Sequence, residues 1–215
     1  MKEILIIAGP SAVGKTTIAS ELINLEPRFE LVRSVTTRER RSDAFGEEYI
    51  YLNKNDFKAL ISSGGVLEYT EYSGELYGTP RSEIDRIHRD GKYPLLILDL
   101  EGVRSVSKES DVRSCAVYLY DKLSVMEKRL SERYLTPTFD SSALSKFNSR
   151  MAQNRADYAK IANYSSHFYA FILNQSEAHD TVREVLKCFE KFKSGLFCDE
   201  REIEKALSMI AKMLS

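Results

Sequence analysis

Apolar residues first cluster at Ile4–Ala8, a continuous run closed by a glycine. Unbroken runs of this kind mark strands covered on both faces, as in a parallel sheet. Ile18, Leu22 and Leu25 then recur at helical spacing. A strand, a glycine-bearing loop and a helix form the opening unit of an α/β fold. The pattern predicts three further buried strands, at 93–100 (YPLLILDL), 114–120 (SCAVYLY) and 168–173 (FYAFIL). Ile84 to Arg89 reads as helix, and Leu123, Met126 and Leu130 form a stripe on another that Asp121 would cap. Ser142 to Asn163 reads as a helix with Leu144, Phe147, Met151, Tyr158 and Ile161 inward. Two more helices are predicted at about 181–193 and 200–214. The last begins with a capping box from Asp199 to Glu202 and carries the stripe Ile203, Leu207, Ile210 and Leu214. Docking on its own domain is the expected fate of that stripe, ahead of a dimer contact.

Two segments break this pattern. Residues 29–81 are rich in tyrosine, charge and glycine, with short strand-like pieces such as EYIYL, and read as an inserted lobe. RYLTPTFDSS is polar and proline-bearing and reads as a loop or lid.

Composition narrows the picture by exclusion. The chain has 215 residues, 43% hydrophobic and 29% charged, enough for one globular domain with a core of its own. Its formal net charge of −1 predicts no nucleic-acid or membrane partner by bulk electrostatics, so any anion site must be built locally. Cys115, Cys188 and Cys198 are odd in number and form no paired ligand motif, which fits a reducing compartment. The opening MKEILIIAG is too short an apolar run for a signal peptide, and no stretch approaches the roughly 20 residues of a membrane span. A cytoplasmic setting is the expectation. His88, His167 and His179 are scattered, and no nucleophile elbow or Ser-His-Asp order is present.

The loop after the first strand, GPSAVGKT, matches G-x-x-x-x-G-K-[ST]. Gly9 and Gly14 permit backbone angles and a close approach that a side chain would forbid. The loop's N–H groups would converge on phosphate oxygens at a helix start, with Lys15 reaching the outer phosphates and Thr16 offering a hydroxyl to Mg²⁺. An ordinary strand-to-helix turn is the alternative. By average usage the four fixed positions arise by chance in about one such chain in a hundred.

A second anion site is suggested by SVTTRERR, in which Arg38 and Arg41 stand three apart with Arg40 between, followed by Tyr49 and Tyr51. Guanidinium forks and phenol hydroxyls together can clamp a phosphate. Beyond them, VLEYTEYSGELYGTP holds Glu68, Tyr77, Gly78 and Thr79. A buried carboxylate can accept two parallel N–H bonds from a guanine edge, while a hydroxyl donates to O6.

From Ile4 to about Asn174 the chain resembles the guanylate kinases, through GPSAVGKTT, SVTTRERR, EEYIYL, GGVLEYTEYSGELYGTP, LDLEGV and NSRMAQNRADY. The resemblance implies an α/β phosphate-loop (P-loop) kinase fold: a central parallel sheet flanked by helices, an inserted GMP-binding lobe and a lid. The expected core is 1–33, 82–131 and 150–198, with the lobe at 34–81, the lid at 132–149 and an extra C-terminal helix at 199–215. It implies transfer of a phosphoryl group from ATP to GMP with Mg²⁺, in purine nucleotide metabolism, by a monomer or homodimer. Gly9, Pro10, Ser11, Ala12, Val13, Gly14, Lys15, Thr16 and Thr17 would hold ATP, with Asn174 near the adenine. Ser34, Glu68 and Thr79 would contact guanine, and Arg38, Arg41, Tyr49 and Tyr77 the GMP phosphate. Arg133 and Arg150 would close over the transferring group, so that with Lys15, Arg38 and Arg41 they form the catalytic set. Asp157 takes a place where the family usually shows glutamate.

The chain departs from the family pattern in three places. Ala12 replaces a common glycine, the lid segment is longer than usual, and the usual Asp-x-Asp before GV becomes Ile97 and Asp99 when aligned without a gap. A shifted register would pair Asp99 with Glu101. The ungapped reading puts Asp99 near Mg²⁺. Three other readings remain: a kinase of another phosphate-bearing acceptor, a non-catalytic phosphopeptide-binding module with a decayed loop, and a GTPase. Lys15 and Thr16 are intact, and no N-K-x-D motif is recognisable.

Overall fold

The computed structural model describes residues 1–39, 49–72, 74–136, 140–175 and 177–214. In chain order the elements are β1 (Lys2–Ala8), α1 (Lys15–Leu25), β2 (Phe29–Leu31), β3 (Ser34–Thr36), β4 (Tyr49–Tyr51), α2 (Lys54–Ser62), β5 (Val66–Tyr72) and β6 (Glu75–Pro80). They continue with α3 (Arg81–Arg89), β7 (Tyr93–Leu98), α4 (Leu100–Val106), β8 (Val112–Tyr120), α5 (Leu123–Leu135) and α6 (Ser141–Lys160). A 3₁₀ helix (Ile161–His167), β9 (Ala170–Leu173), α7 (Ala178–Lys193) and α8 (Glu200–Leu214) complete the chain.

Five strands form a parallel sheet in the order β2-β7-β1-β8-β9. The central strand β1 is the first apolar run, and Ile4 through Ala8 are fully buried, as a strand covered on both faces requires. The expected buried strands are all present. β7 stops at Leu98, because Leu100 already belongs to α4. The fifth strand, β2, is three residues long and too short to announce itself by pattern. Helices flank the sheet: α1 and α7 pack on each other and on its strands, and α4 packs on β1, β7 and β8. Leu25 departs from the expected stripe of α1 and is largely exposed.

The second sheet, β4-β3-β6-β5, lies wholly within the segment predicted as an insertion. It has a small core of its own around Val35, Phe57 and Val66. The two chain crossings into this lobe are tied together. Arg33, one residue before β3, gives two hydrogen bonds to Glu83 in the first turn of α3, at 3.0 and 3.1 Å, and Arg86 gives Glu83 two more. These donors, Arg33 foremost, hold the Glu83 carboxyl down at about 2.

Two local expectations are corrected. Asp121 does not cap α5; Lys122 occupies that position without a side-chain bond. The Asp121 carboxylate is instead 1% exposed, accepts from the Lys122 backbone N–H and pairs with Arg129 at 3.4 Å. The two ends of the stretch RYLTPTFDSS are helical, while residues 137–139 lie outside the described residues. α5 runs through to Leu135 and Asp140 caps α6, so Arg133 rides on a helix.

The capping box at Asp199 forms in half. Its carboxylate accepts from the N–H groups of Arg201 and Glu202, while the Glu202 side chain pairs with Lys205. α8 docks on its own domain, against β9, α6 and the 3₁₀ helix, with Ala206 and Ile210 buried. Among the described residues no helix is long and apolar enough to cross a membrane.

Candidate active site

At the carboxyl end of β1 the chain turns through Gly9–Gly14 into α1. Gly9 has φ +147°, and a Cβ there would sit 2.3 Å from the carbonyl oxygen of Leu119 on β8. Gly14 has φ +108°, and its Cβ would meet the Asn174 amide at 2.6 Å. Both glycines are therefore required by contact as well as by conformation. Ala12 adopts φ +62°, a left-handed turn made by a residue with a Cβ. No side chain caps α1 at Gly14, so its first N–H groups face outward beside the exposed Thr16 and Thr17. Such an end attracts anions.

Lys15 folds back over the loop and donates to the carbonyl oxygens of Gly9 and Pro10, at 2.7 and 2.8 Å. Burial lowers its ammonium to about 8, while Asp157 and Asp99 act to raise it and Arg150 and Arg133 to lower it. Four charged side chains from the β7–α4 junction, α5 and α6 thus lie within electrostatic reach of one lysine. Three of them, Asp99, Arg133 and Arg150, were expected site residues; Asp157 was expected by position. Asp99 also caps α4, its Oδ1 accepting from the Gly102 N–H at 2.8 Å. Glu101, the partner of Asp99 in the shifted register, pairs with Arg104 and accepts from the Tyr164 hydroxyl. Ile97 is half-buried, opposite Ile7 in the sheet, and packs on the main core.

In the lobe, Glu68 on β5 stands in register with Thr79 on β6. The Thr79 hydroxyl donates to Glu68 Oε1 at 2.6 Å, and the two residues are 1% and 7% exposed. Burial pushes the Glu68 carboxyl up to about 7, helped by the charge of Asp99 and opposed by the Thr79 bond. A Cβ on Gly102 would lie 3.5 Å from Glu68 Oε2 and 3.3 Å from Asp99 Oδ1. The start of α4 is therefore where the lobe's carboxylate meets the core's. Nearby, the Arg38 guanidinium lies over the Tyr49 ring at 5.2 Å, and Tyr49 meets Tyr77 edge to face at 6.3 Å. Among the described residues, Arg38 Nε is buried without a hydrogen-bond partner. Ser34 opens β3, opposite Tyr49 on β4. Arg41 lies outside the described residues.

The loop is gripped from outside by residues the sequence reading did not single out. Arg129 on α5 donates to the carbonyl oxygens of Ala12 and Val13, at 3.1 and 3.3 Å, while pairing with the buried Asp121. Asn154 on α6 accepts from the Ser11 N–H at 2.7 Å and donates to the Ser11 carbonyl at 3.0 Å. Asn174, expected beside adenine, sits behind the loop. It donates to the Val13 carbonyl at 2.7 Å and accepts from Thr181 at 2.8 Å. Asn154 carried a signal: it interrupts the inward stripe between Met151 and Tyr158 with an amide.

The site combines an anion-binding helix end, a crowded lysine with two arginines, and a lobe carrying a buried carboxylate and an arginine among tyrosines. The family model described as Guanylate kinase matches residues 1–192, ending before α8. A curated guanylate kinase of Prochlorococcus marinus (strain MIT 9313) is 39% identical over 107 residues, 49% of this chain and 57% of that protein. One from Rickettsia prowazekii (strain Madrid E) is 30% identical over 162 residues, 75% of this chain and 80% of its own. The matched stretches thus span 57% and 80% of these two relatives. The crystal structure of guanylate kinase from Anaplasma phagocytophilum superposes with a TM-score of 0.64 at 19% identity, over 88% of this chain and 85% of that one. That likeness is one of fold.

Proposed function

The chain belongs to the guanylate kinase family, and from that premise we propose that it transfers the γ-phosphoryl group of ATP to GMP, giving ADP and GDP in purine nucleotide metabolism. The observation that carries this reading is the junction at Gly102, where a buried Glu68–Thr79 pair meets the core beside Asp99, within electrostatic reach of Lys15. In this reading Asp99, at the start of α4, faces both the base reader of the lobe and the lysine of the phosphate loop that opens α1.

In this reading a phosphate oxygen of GMP attacks the γ-phosphorus in line as the bond to the β-phosphate oxygen breaks. The attacking oxygen is already anionic, so no side chain need act as a strong base. Positioning and charge carry the rate. The first turn of α1 and the loop N–H groups hold the ATP phosphates. Lys15 leaves the Gly9 and Pro10 carbonyls for a phosphate oxygen, and Arg133 and Arg150 close on the equatorial charge. Arg38, Tyr49 and Tyr77, with Arg41, hold the acceptor phosphate, and Ser34, Glu68 and Thr79 hold guanine.

Thr16 and Asp99 supply one hydroxyl and one carboxylate, a sparse oxygen set that suits Mg²⁺ carried in on the substrate phosphates. Bound there, the ion would neutralise charge on the β- and γ-oxygens.

Ile97, an apolar side chain where the family pattern has aspartate, favours a second reading, a kinase of another phosphate-bearing acceptor. Measuring ADP formation against a panel of nucleoside monophosphates separates the two. GMP is expected to be the fast substrate, and equal rates with AMP or UMP would remove the guanylate assignment.

A further inference from the structure

We infer that Asn154 is a positioning residue for phosphoryl transfer: its buried amide keys the phosphate loop to α6 and so sets Arg150 and Asp157 against Lys15. The inference rests on the kinase reading above.

Asn154 is fully buried, and both ends of its amide are spent on one residue of the loop, Ser11. Two bonds to the N–H and C=O of a single residue fix rotation as well as distance, which one bond would not. Its Nδ2 also lies 3.8 Å from the Met126 sulfur on α5, so loop, α5 and α6 meet at this side chain. Arg150 lies four residues before it and Asp157 three after, the spacing of one helix face. Both act on the charge of Lys15, so this is the face of α6 turned toward the lysine. The carbonyls that hold Lys15 belong to Gly9 and Pro10, immediately before Ser11. Three consecutive loop residues therefore carry the lysine and its link to α6.

Packing alone does not account for an amide here. Apolar contact is non-directional, and the neighbouring inward position Met151 is filled without it. A paired donor and acceptor specifies register: sliding α6 along the loop by one residue breaks both bonds. Rate depends on that register, because a misplacement of about 1 Å at the reacting groups can reduce turnover by ~10²-fold.

The test compares full-length wild type with Asn154→Ala and Asn154→Asp. Alanine leaves a small polar space in which water can take over the Ser11 groups. Aspartate keeps an acceptor for the Ser11 N–H but has no donor for its carbonyl. The readouts are steady-state kinetics with ATP and GMP, calorimetric binding of a non-hydrolysable ATP analogue, and thermal melting followed by circular dichroism. Well below its melting midpoint, Asn154→Ala is expected to lose ~10–100-fold in kcat, to keep a KM for GMP within about twofold, and to bind the analogue several-fold more weakly. A folded Asn154→Ala with wild-type kcat and a lowered melting temperature would make the residue merely structural and overturn the inference. If alanine does not fold, Asn154→Asp decides on the same readouts, with unchanged kinetics again overturning it. If wild type itself fails to phosphorylate GMP, the kinase reading falls separately, and unchanged analogue affinity in the variants then overturns the role of Asn154.

Discussion

Titrating Glu68 should switch GMP binding on as pH rises through neutrality. The carboxylate is 93% removed from solvent, accepts from Thr79, and faces a second negative charge at Asp99. Its displacement from the ordinary 4.5 to about 7 corresponds to about 3 kcal/mol against ionisation, at about 1.4 kcal/mol for each tenfold change. Only the ionised form accepts both guanine donors. At pH 6 about one molecule in ten is ionised and at pH 8 about nine in ten, so apparent GMP affinity should rise about tenfold across that interval. The phosphate of GMP titrates near pH 6 as well. Glu68→Gln, which accepts but does not titrate, shares that contribution, so the ratio of the two proteins isolates the carboxylate.

Calorimetry at pH 6, 7 and 8 provides this ratio. Stability should move in the opposite sense. A carboxyl whose folded value is raised stabilises the fold fully below its unfolded value near 4.5, and that contribution is lost as pH rises through about 7. Wild type should therefore lose melting temperature relative to Glu68→Gln between pH 5 and 8. Parallel pH curves for the two proteins in both measurements would refute a proton-responsive Glu68.

Three further outcomes are expected. Lys15→Ala should lose ~10²–10³ in turnover with an unchanged circular dichroism spectrum, because it removes a preorganised charge from the transferring group. Ala12→Gly should raise denaturant stability by about 1 kcal/mol, since the native φ of +62° suits glycine better than alanine. Glu83, held at about 2, contributes stability that is present above its unfolded value near 4.5 and lost as pH falls toward 2. Glu83→Gln should flatten acid unfolding over that window while lowering stability at pH 7.

The parts of the molecule legible from the chain were those encoded locally. Ile4–Ala8, the glycine loop and the inward positions Met126, Leu130, Met151 and Tyr158 each follow from a run or a spacing within a few turns. The illegible parts depend on partners far away in sequence. Asp121 looks like a cap from its neighbours, and only its meeting with Arg129 and Gln175 reveals a buried charge. Glu101 is two residues from Asp99 in the chain, and its partners Arg104 and Tyr164 emerge only in the fold. Asn154 and Arg129 act on backbone carbonyls more than 110 residues away, and a backbone group has no letter in the sequence to match. Ala12 looked like a mild replacement because sequence spacing carries no dihedral angle.

The placement of α8 has a consequence for assembly. The edge of a β-sheet presents unpaired backbone groups and is a template on which another chain can continue the sheet. In this molecule neither edge of the core sheet is an inviting template. β2 offers three residues, and β9, itself only four, has α8 packed against it. The helix that follows the family-matched region thus packs beside the β9 edge and disfavours strand addition to the core sheet, whereas β5, seven residues long, remains an edge of the lobe's sheet.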